Sequence, residues 1–357
     1  MQNRQEFCPD WTSAPGDTIA DILMERGLSK VQFAQLLGSS TEKTSDLLEG
    51  RVPITIGIAR RLEHVIGGSV EFWVSRDFQY RQDSSRLAQA DEKWLSDLPI
   101  GDMVKFGWIH PAPRPSDEMR ACLRFFGVDS VQAWRQMFVR LSEMVAFRTS
   151  ASFESRPAAV AAWLRQGELT GEAIKCEPWR SGHFEKILSS VRALTREKKP
   201  EVFVPKLREL CASAGVAVVI VRAPNGCRAS GATRFLSPKK ALLQLSFRYL
   251  SDDHFWFTFF HEAGHLILHG DKRLFLEGAE TPTTKEEEEA NQFAEAILVP
   301  AEFRPALFAL SPSSRAVLRF ARKLGVSPGI VVGQLQHYKK INRSQLNGLR
   351  RRFKWGE

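Results

Sequence analysis

The chain has 357 residues, of which 43% are hydrophobic and 25% charged, and a net charge of +9. That is too long for one ordinary hydrophobic core and too apolar for a disordered chain, so two or three packed units are expected. No run of about 18 uninterrupted apolar residues exists, the start "MQNRQEFCPDW" lacks the apolar core of a secretion signal, and the five cysteines (Cys8, Cys122, Cys176, Cys211 and Cys227) are scattered; the expectation is a cytoplasmic protein with no membrane partner.

Residues from about Gly16 to Arg81 read as short amphipathic helices separated by glycine stops. In "DTIADILMERG", Ile19, Ile22 and Leu23 form one apolar stripe and Gly27 ends the run. "SKVQFAQLLG" and "STEKTSDLLEG" follow, with Ser29 and either Ser39 or Ser40 as natural N-caps and Gly38 as a sharp turn between two helices of under a dozen residues. This is helix-turn-helix spacing. Trp73 and Phe72, at the end of the region, are expected in its core.

From about Leu87 to Pro200, helical segments such as "EMRACLRFFGV", "VQAWRQMFVRLSEMVAF" and "PAAVAAWLRQGE" alternate with proline-marked breaks. The stretch reads as a helical connecting region without chemistry of its own. After Pro205 the pattern changes: "LRELCASAG" is helical, and "VAVVIVRAP", "ASGATRFL" and "ALLQLSF" are three short strands bounded by Gly, Pro and Ser. A helix starting near Asp252 or Asp253 follows, then a polar loop, then the helix "KEEEEANQFAEAILVP", stopped at Pro300. From Gln336 to the end there are seven basic residues against one acid, Glu357. Such a tail is either a solvated, partly frayed terminus or an electrostatic contact for phosphates.

The chemistry lies in "HEAGHLILHG". On one helix His261 and His265 stand one turn apart, about 6 Å along the axis, so both imidazoles reach a single ion. Glu262 falls beside that ion, where a carboxylate can take a proton from a polarised water and pass it to a leaving amine. The plainer reading is a buried helix whose histidines are satisfied by hydrogen bonds; against it, burying Glu262 with two imidazoles is costly unless a cation compensates. His269 lies about 12 Å along the axis from His261, too far to share the ion, and is expected behind the ligands or at the surface. The third histidine of the metzincins is absent.

A catalytic zinc takes three protein ligands and keeps one open position. Glu286 to Glu289 offer the third. With Ala290, Ala294 and Ile297 on the inward face, Glu286 and Glu287 flank that face, and Glu288 and Glu289 read as solvated residues of a helix N-terminus. Glu287 has Asn291 one turn later on its own side, where an amide can hydrogen-bond a zinc-bound histidine.

"FTFFHEAGHLILHG", followed by "EEEANQFAEAILVP", resembles the ImmA/IrrE family of metallopeptidases over roughly Pro205 to Tyr338. The resemblance implies His261, His265 and Glu287 as ligands of one Zn2+ per chain and Glu262 as general acid/base. It also implies a substrate that is a helix-turn-helix repressor or antitoxin. "PGDTIADILMERGLSKVQFAQLLGSSTEKTSDLLEGRVPITIGIARRLEHVIGGSVEFW" is similar to the XRE-type, HigA-like antitoxin helix-turn-helix. By that likeness the recognition helix is Thr41 to Leu48, with Ser40, Thr41, Lys43, Thr44, Ser45 and Arg51 as candidate DNA contacts. From Trp11 to Tyr80, however, seven basic residues face nine acidic ones, which also allows a homodimerisation or substrate-docking role.

The expected fold is mostly α with a small β-sheet (α+β): a helix-turn-helix domain (1–82), a helical connecting region (83–200), an HExxH zincin-like peptidase domain (201–338) and a basic tail (339–357). The expected function is a zinc endopeptidase coupled to a DNA-binding domain that regulates transcription by cleaving a repressor or antitoxin. A repressor whose peptidase fold acts as a sensor and a self-cleaving regulator are the alternatives. His254, Arg248 and Tyr249 are weak candidates to stabilise an oxyanion, and Cys227, alone in a turn, is expected to be inert.

Overall fold

The computed structural model describes residues 11–138, 156–270, 275–278 and 285–355, so Cys8 lies outside the described residues. The chain divides into two compact units at Ser96/Asp97, inside the stretch expected to be a connector.

The first unit is helical: α1 (Pro15–Glu25), α2 (Lys30–Leu36), α3 (Thr41–Leu48), α4 (Ile56–Ile66) and α5 (Val70–Asp97). The helices α2, α3 and α4 each begin where a hydroxyl satisfies the first free amides. Ser29 caps α2 in a reciprocal pair with Gln32, Ser40 caps α3, and Thr55 caps α4. Gly38 turns the chain between α2 and α3 at φ +61°. Ile19, Leu23, Phe33, Leu37, Leu47, Leu62, Ile66 and Trp73 form the core, and the Trp73 indole donates to Gly67 O at 2.9 Å. Phe72, expected in the core, is instead 45% exposed: on a helix, neighbours point about 100° apart, and Trp73 takes the inward direction.

In the second unit, α6 (Ile100–Lys105), α7 (Pro115–Phe126), helical residues 131–138 (α8), α9 (Pro157–Ala173), α10 (Ser181–Leu194) and α11 (Pro200–Ser213) precede β1 (Val216–Ile220), β2 (Ala229–Ser237) and β3 (Lys240–Leu245). Then come α12 (Asp252–Leu268), β4 (Phe275–Gly278), α13 (Lys285–Leu298), α14 (Arg304–Phe308), α15 (Ser314–Leu324) and α16 (Pro328–His337). The four-stranded sheet has the order β1-β3-β2-β4, with β1 parallel to β3 and β2 antiparallel to both its neighbours. Its three leading strands match the sequence reading; β4 falls in the stretch expected to be a polar loop, because four residues form a strand only when β2 is there to pair with. The fold is α+β, as expected.

Alternation along β3 sets the layers. Ala241, Leu243 and Leu245 face the main core, with Trp256, Phe259 and Phe260 of α12. Leu242 and Gln244 face α9 on the other side, where a side chain at Gly167 would collide with Gln244 and one at Gly171 would crowd Leu242. The Trp163 indole of α9 donates to Val221 O at 2.9 Å and Gln244 donates to Trp163 O at 2.7 Å. The region expected to be a connector thus supplies one whole layer of the sheet packing.

Part of the basic tail, Arg350 to Phe353, is tied down. Phe353 N donates to Leu250 O at 2.8 Å, and Arg351 and Asp252 exchange two hydrogen bonds through Arg351 N–Asp252 Oδ1 (2.9 Å) and Asp252 N–Arg351 O (3.1 Å). The Arg351 guanidinium donates to Thr195 O and Glu197 O beyond the end of α10, and Arg350 pairs with Asp253 at 2.7 Å, both side chains being buried. Two of the charges read as available for phosphates are therefore spent inside the protein.

Candidate metal centre

Three elements build the site. The start of α12 is fixed by Asp252, fully buried, which accepts from the Ser327 hydroxyl at 2.8 Å and from Arg351 N. Burial pushes its carboxyl up, against the pull of those two hydrogen bonds. A side chain at Gly329 would collide with Asp252, so the first turn of α16 closes directly over it. Farther along, α12 crosses α13 at Gly264, where a Cβ would lie 3.1 Å from the Phe293 ring and 3.2 Å from Ala290 Cα. That close crossing brings the first turn of α13 to the histidines.

There, Nε2 of His261 lies 3.0 Å from Nε2 of His265, and the Glu287 carboxylate lies 3.2 Å from the first and 3.6 Å from the second. All three side chains are buried. For zinc bonds of about 2.0–2.1 Å, ligand atoms at the corners of a tetrahedron are about 3.3 Å apart, so these separations suit one ion. Proton bookkeeping around the rings points the same way. His261 Nδ1 lies 3.0 Å from Asn291 Oδ1, an acceptor, so Nδ1 carries the proton and Nε2 presents its lone pair. On His265, Nδ1 lies 3.1 Å from Nδ1 of His269, whose Nε2 lies 3.0 Å from the Glu289 carboxylate. With Glu289 accepting from His269 Nε2, His269 Nδ1 accepts from His265 Nδ1, and the Nε2 lone pair of His265 also faces inward. Two lone pairs and a carboxylate aimed at one point repel each other unless a cation sits among them.

The electrostatics agree. Burial holds His265 below the usual imidazole range, more strongly than Glu287 raises it, so the neutral ligand form is favoured. Burial opposes ionisation of Glu287, but in the metal-free centre an imidazole of His261 or His265 that takes up a proton at Nε2 donates to the carboxylate, and that hydrogen bond and charge hold the carboxyl well below the usual range.

Glu262 is fully buried next to the ligands. Gly231 of β2 explains how it fits: a Cβ there would lie 2.5 Å from Glu262 Oε1 and 2.8 Å from Thr258 Cγ2. The lack of a side chain on β2 makes room for the carboxylate.

The structure brings His261, Glu262, His265, Glu287 and Asn291 together. Of the other glutamates, Glu288 is exposed, and Glu289, expected to be solvated, holds His269. His254 and Tyr249 stack at 4.3 Å, and Arg248 donates to Arg228 O at 2.7 Å, so this trio holds its own turn. Burial pushes the Cys227 thiol up to about 12, which leaves it inert. His269 lies behind His265, one of the two places expected for it, while Gly231 and the part played by Glu289 were missed; a glycine breaking the apolar alternation of "ASGATRFL" was the available signal for the first.

In the first unit, Ser40, Thr41 and Lys43 are exposed on α3 and Ser45 is half-buried, its hydroxyl donating to Thr41 O. Thr44 is only 1% exposed and its hydroxyl donates to Ser40 O, so it is a packing residue and not a groove contact. Arg51 is exposed but pairs with Asp46 at 2.6 Å and with Glu49.

Residues 216–335 match the peptidase M78 family model, described as the IrrE N-terminal-like domain. The match lies wholly inside the second unit and contains every residue of the metal centre. It supports an ImmA/IrrE-type peptidase domain there. No curated protein matches the chain. Among the described residues, no helix is long and apolar enough to cross a membrane.

Proposed function

We propose that the chain is a zinc-dependent endopeptidase joined to a DNA-binding unit, acting in the cytoplasm. The observation that carries the reading is the inward convergence of two imidazole lone pairs and one carboxylate, flanked by a second buried carboxylate. His261, His265 and Glu287 hold one Zn2+, which when bound supplies Lewis-acid polarisation of the scissile carbonyl and of a water. Glu262 takes the proton of the attacking water and delivers it to the leaving amine. Asn291 and the His269–Glu289 pair fix the tautomers that point both Nε2 lone pairs toward the Glu287 carboxylate.

By family likeness the substrate is a helix-turn-helix repressor or antitoxin, and the first unit is the part that meets DNA, with Thr41 and Lys43 at the exposed start of α3. Cleavage of such a protein would link proteolysis to transcription. The test is zinc content together with cleavage of the repressor encoded nearest to this chain. One zinc per chain and cleavage abolished in Glu262→Gln is the expected result; full zinc occupancy with an intact repressor would reject the peptidase role. Loss of an N-terminal fragment from the purified chain alone would assign cleavage to the enzyme's own sequence. For the first unit, gel shifts at two salt concentrations decide, since phosphate-driven binding weakens steeply with salt.

A further inference from the structure

The second unit has another cavity, of about 720 Å³, that shares no lining residue with the metal centre. Three segments far apart in sequence each bring one cation and one or more groups to pack beside it. Lys105, Phe106 and Trp108 come from the end of α6, Arg222 follows β1, and Lys354 and Trp355 come from the C-terminal segment. No carboxylate lines the cavity. Among the described residues, none of the three cations makes an ion pair, in contrast to Arg350 nearby in the chain, which is spent on Asp253. Asp102, one turn before Lys105, has an oxygen held by the Asn225 amide at 2.6 Å. Three unpaired positive charges around one concavity focus a positive potential into it and attract an anion.

The aromatic residues supply the second half of the recognition. Phe106 and Trp108 lie 5.5 Å apart, and Trp108 is backed by Phe125 at 6.2 Å with the rings nearly parallel. The Arg222 guanidinium lies 5.0 Å over the Phe106 ring, which orients the cation without neutralising it. Trp355 is braced by Phe247 at 6.2 Å. These rings are fixed by packing before any ligand arrives, and each offers a flat surface for stacking. The volume falls in the range of small-molecule sites.

We propose that this cavity binds a nucleoside phosphate, with the phosphates among Lys105, Arg222 and Lys354 and the base stacked on the Trp108 or Trp355 indole. Because the site is separate from His261 and Glu262, it gives the second unit a place for a small-molecule effector whether or not the chain cleaves a protein.

The test is titration of the full chain with ATP and AMP, read by tryptophan fluorescence and by calorimetry, with adenosine, inorganic phosphate and oligothymidylate as companion probes. Saturable nucleotide binding is expected, weakened about tenfold or more in Arg222→Glu and in Lys354→Glu, because each loses a charged hydrogen bond. Both side chains are exposed, so folding is not at stake. Trp108→Phe keeps a ring and should retain most binding, while His261→Ala should retain all of it, which separates the cavity from phosphate held at a metal. The proposal is overturned by absence of nucleotide binding at millimolar concentration, or by binding insensitive to both charge reversals. Phosphate binding as tightly as ATP would overturn it in favour of a simple anion patch. Binding only to oligothymidylate, growing with length, would overturn it in favour of single-stranded nucleic acid.

Discussion

His261 and Asn291 are joined by one hydrogen bond, Nδ1 to Oδ1 at 3.0 Å, and it decides which nitrogen of the ring faces the other ligands. An alanine at 291 frees the ring to rotate and to carry its proton on either nitrogen. Zinc affinity should fall about 10- to 100-fold in Asn291→Ala, the range for losing such a support. Asn291→Asp, which keeps an acceptor in place, should bind nearly as well as the parent. Competition with a chromogenic chelator measures both.

Glu262 and Gly231 should separate binding from catalysis. Glu262→Gln preserves shape and removes the base, so zinc content stays at one per chain while the cleavage rate falls about 10²- to 10⁴-fold, the usual contribution of a positioned general base. Gly231→Ala reaches the same end indirectly, because its methyl group would occupy the space of Glu262 Oε1 and Thr258 Cγ2. Elemental analysis beside a cleavage assay distinguishes these variants from His265→Ala, which should lose both metal and activity.

The centre's core was legible because its chemistry is local. A four-residue spacing puts His261 and His265 on one helix face whatever surrounds them, and the Glu287/Asn291 spacing does the same on α13. What the sequence hid depends on how elements cross. Glu289 reads as one more solvated acid until α13 lies against α12 and meets His269. Thr44 reads as a groove contact until α3 turns its face inward, and Arg350 and Arg351 read as surplus charge until the chain end folds back onto Asp252 and Asp253. Periodicity assigns a face to each helix but not the partner that covers it.

Acid should release the metal, and the sign follows from the ligands. Zinc binds the neutral imidazoles and the ionised carboxylate, so each proton taken up by a ligand competes with it. His265 is depressed by burial and Glu287 is held low by its two histidines. The His265 shift means that protons compete poorly for the imidazole near neutrality, where the Glu287 carboxylate is already ionised. Zinc affinity should therefore be nearly flat from pH 8 down to about 6.5, the ordinary imidazole value, and fall only below it. Fluorescent zinc-indicator titrations at half-unit intervals would show this; a decline already complete at pH 7 would contradict the burial of His265.

The pair Arg350–Asp253 ties the chain end to the helix that carries both histidines. Its groups are 2.7 Å apart with side chains about one-tenth exposed, so water screens the pair little. Removing one member leaves the other charge buried and uncompensated, which typically costs about 3–5 kcal/mol. Arg350→Ala should thus lower the thermal midpoint of the second unit by several degrees, and Asp253→Asn should do so less, because an amide can still accept from the guanidinium. The double variant Arg350→Leu with Asp253→Leu removes both charges, so it should regain much of the loss. Because α12 begins at this anchor, Arg350→Ala should also weaken zinc binding, although the residue lies outside the matched peptidase region. A thermal shift without a change in metal affinity would confine the clamp to stability alone.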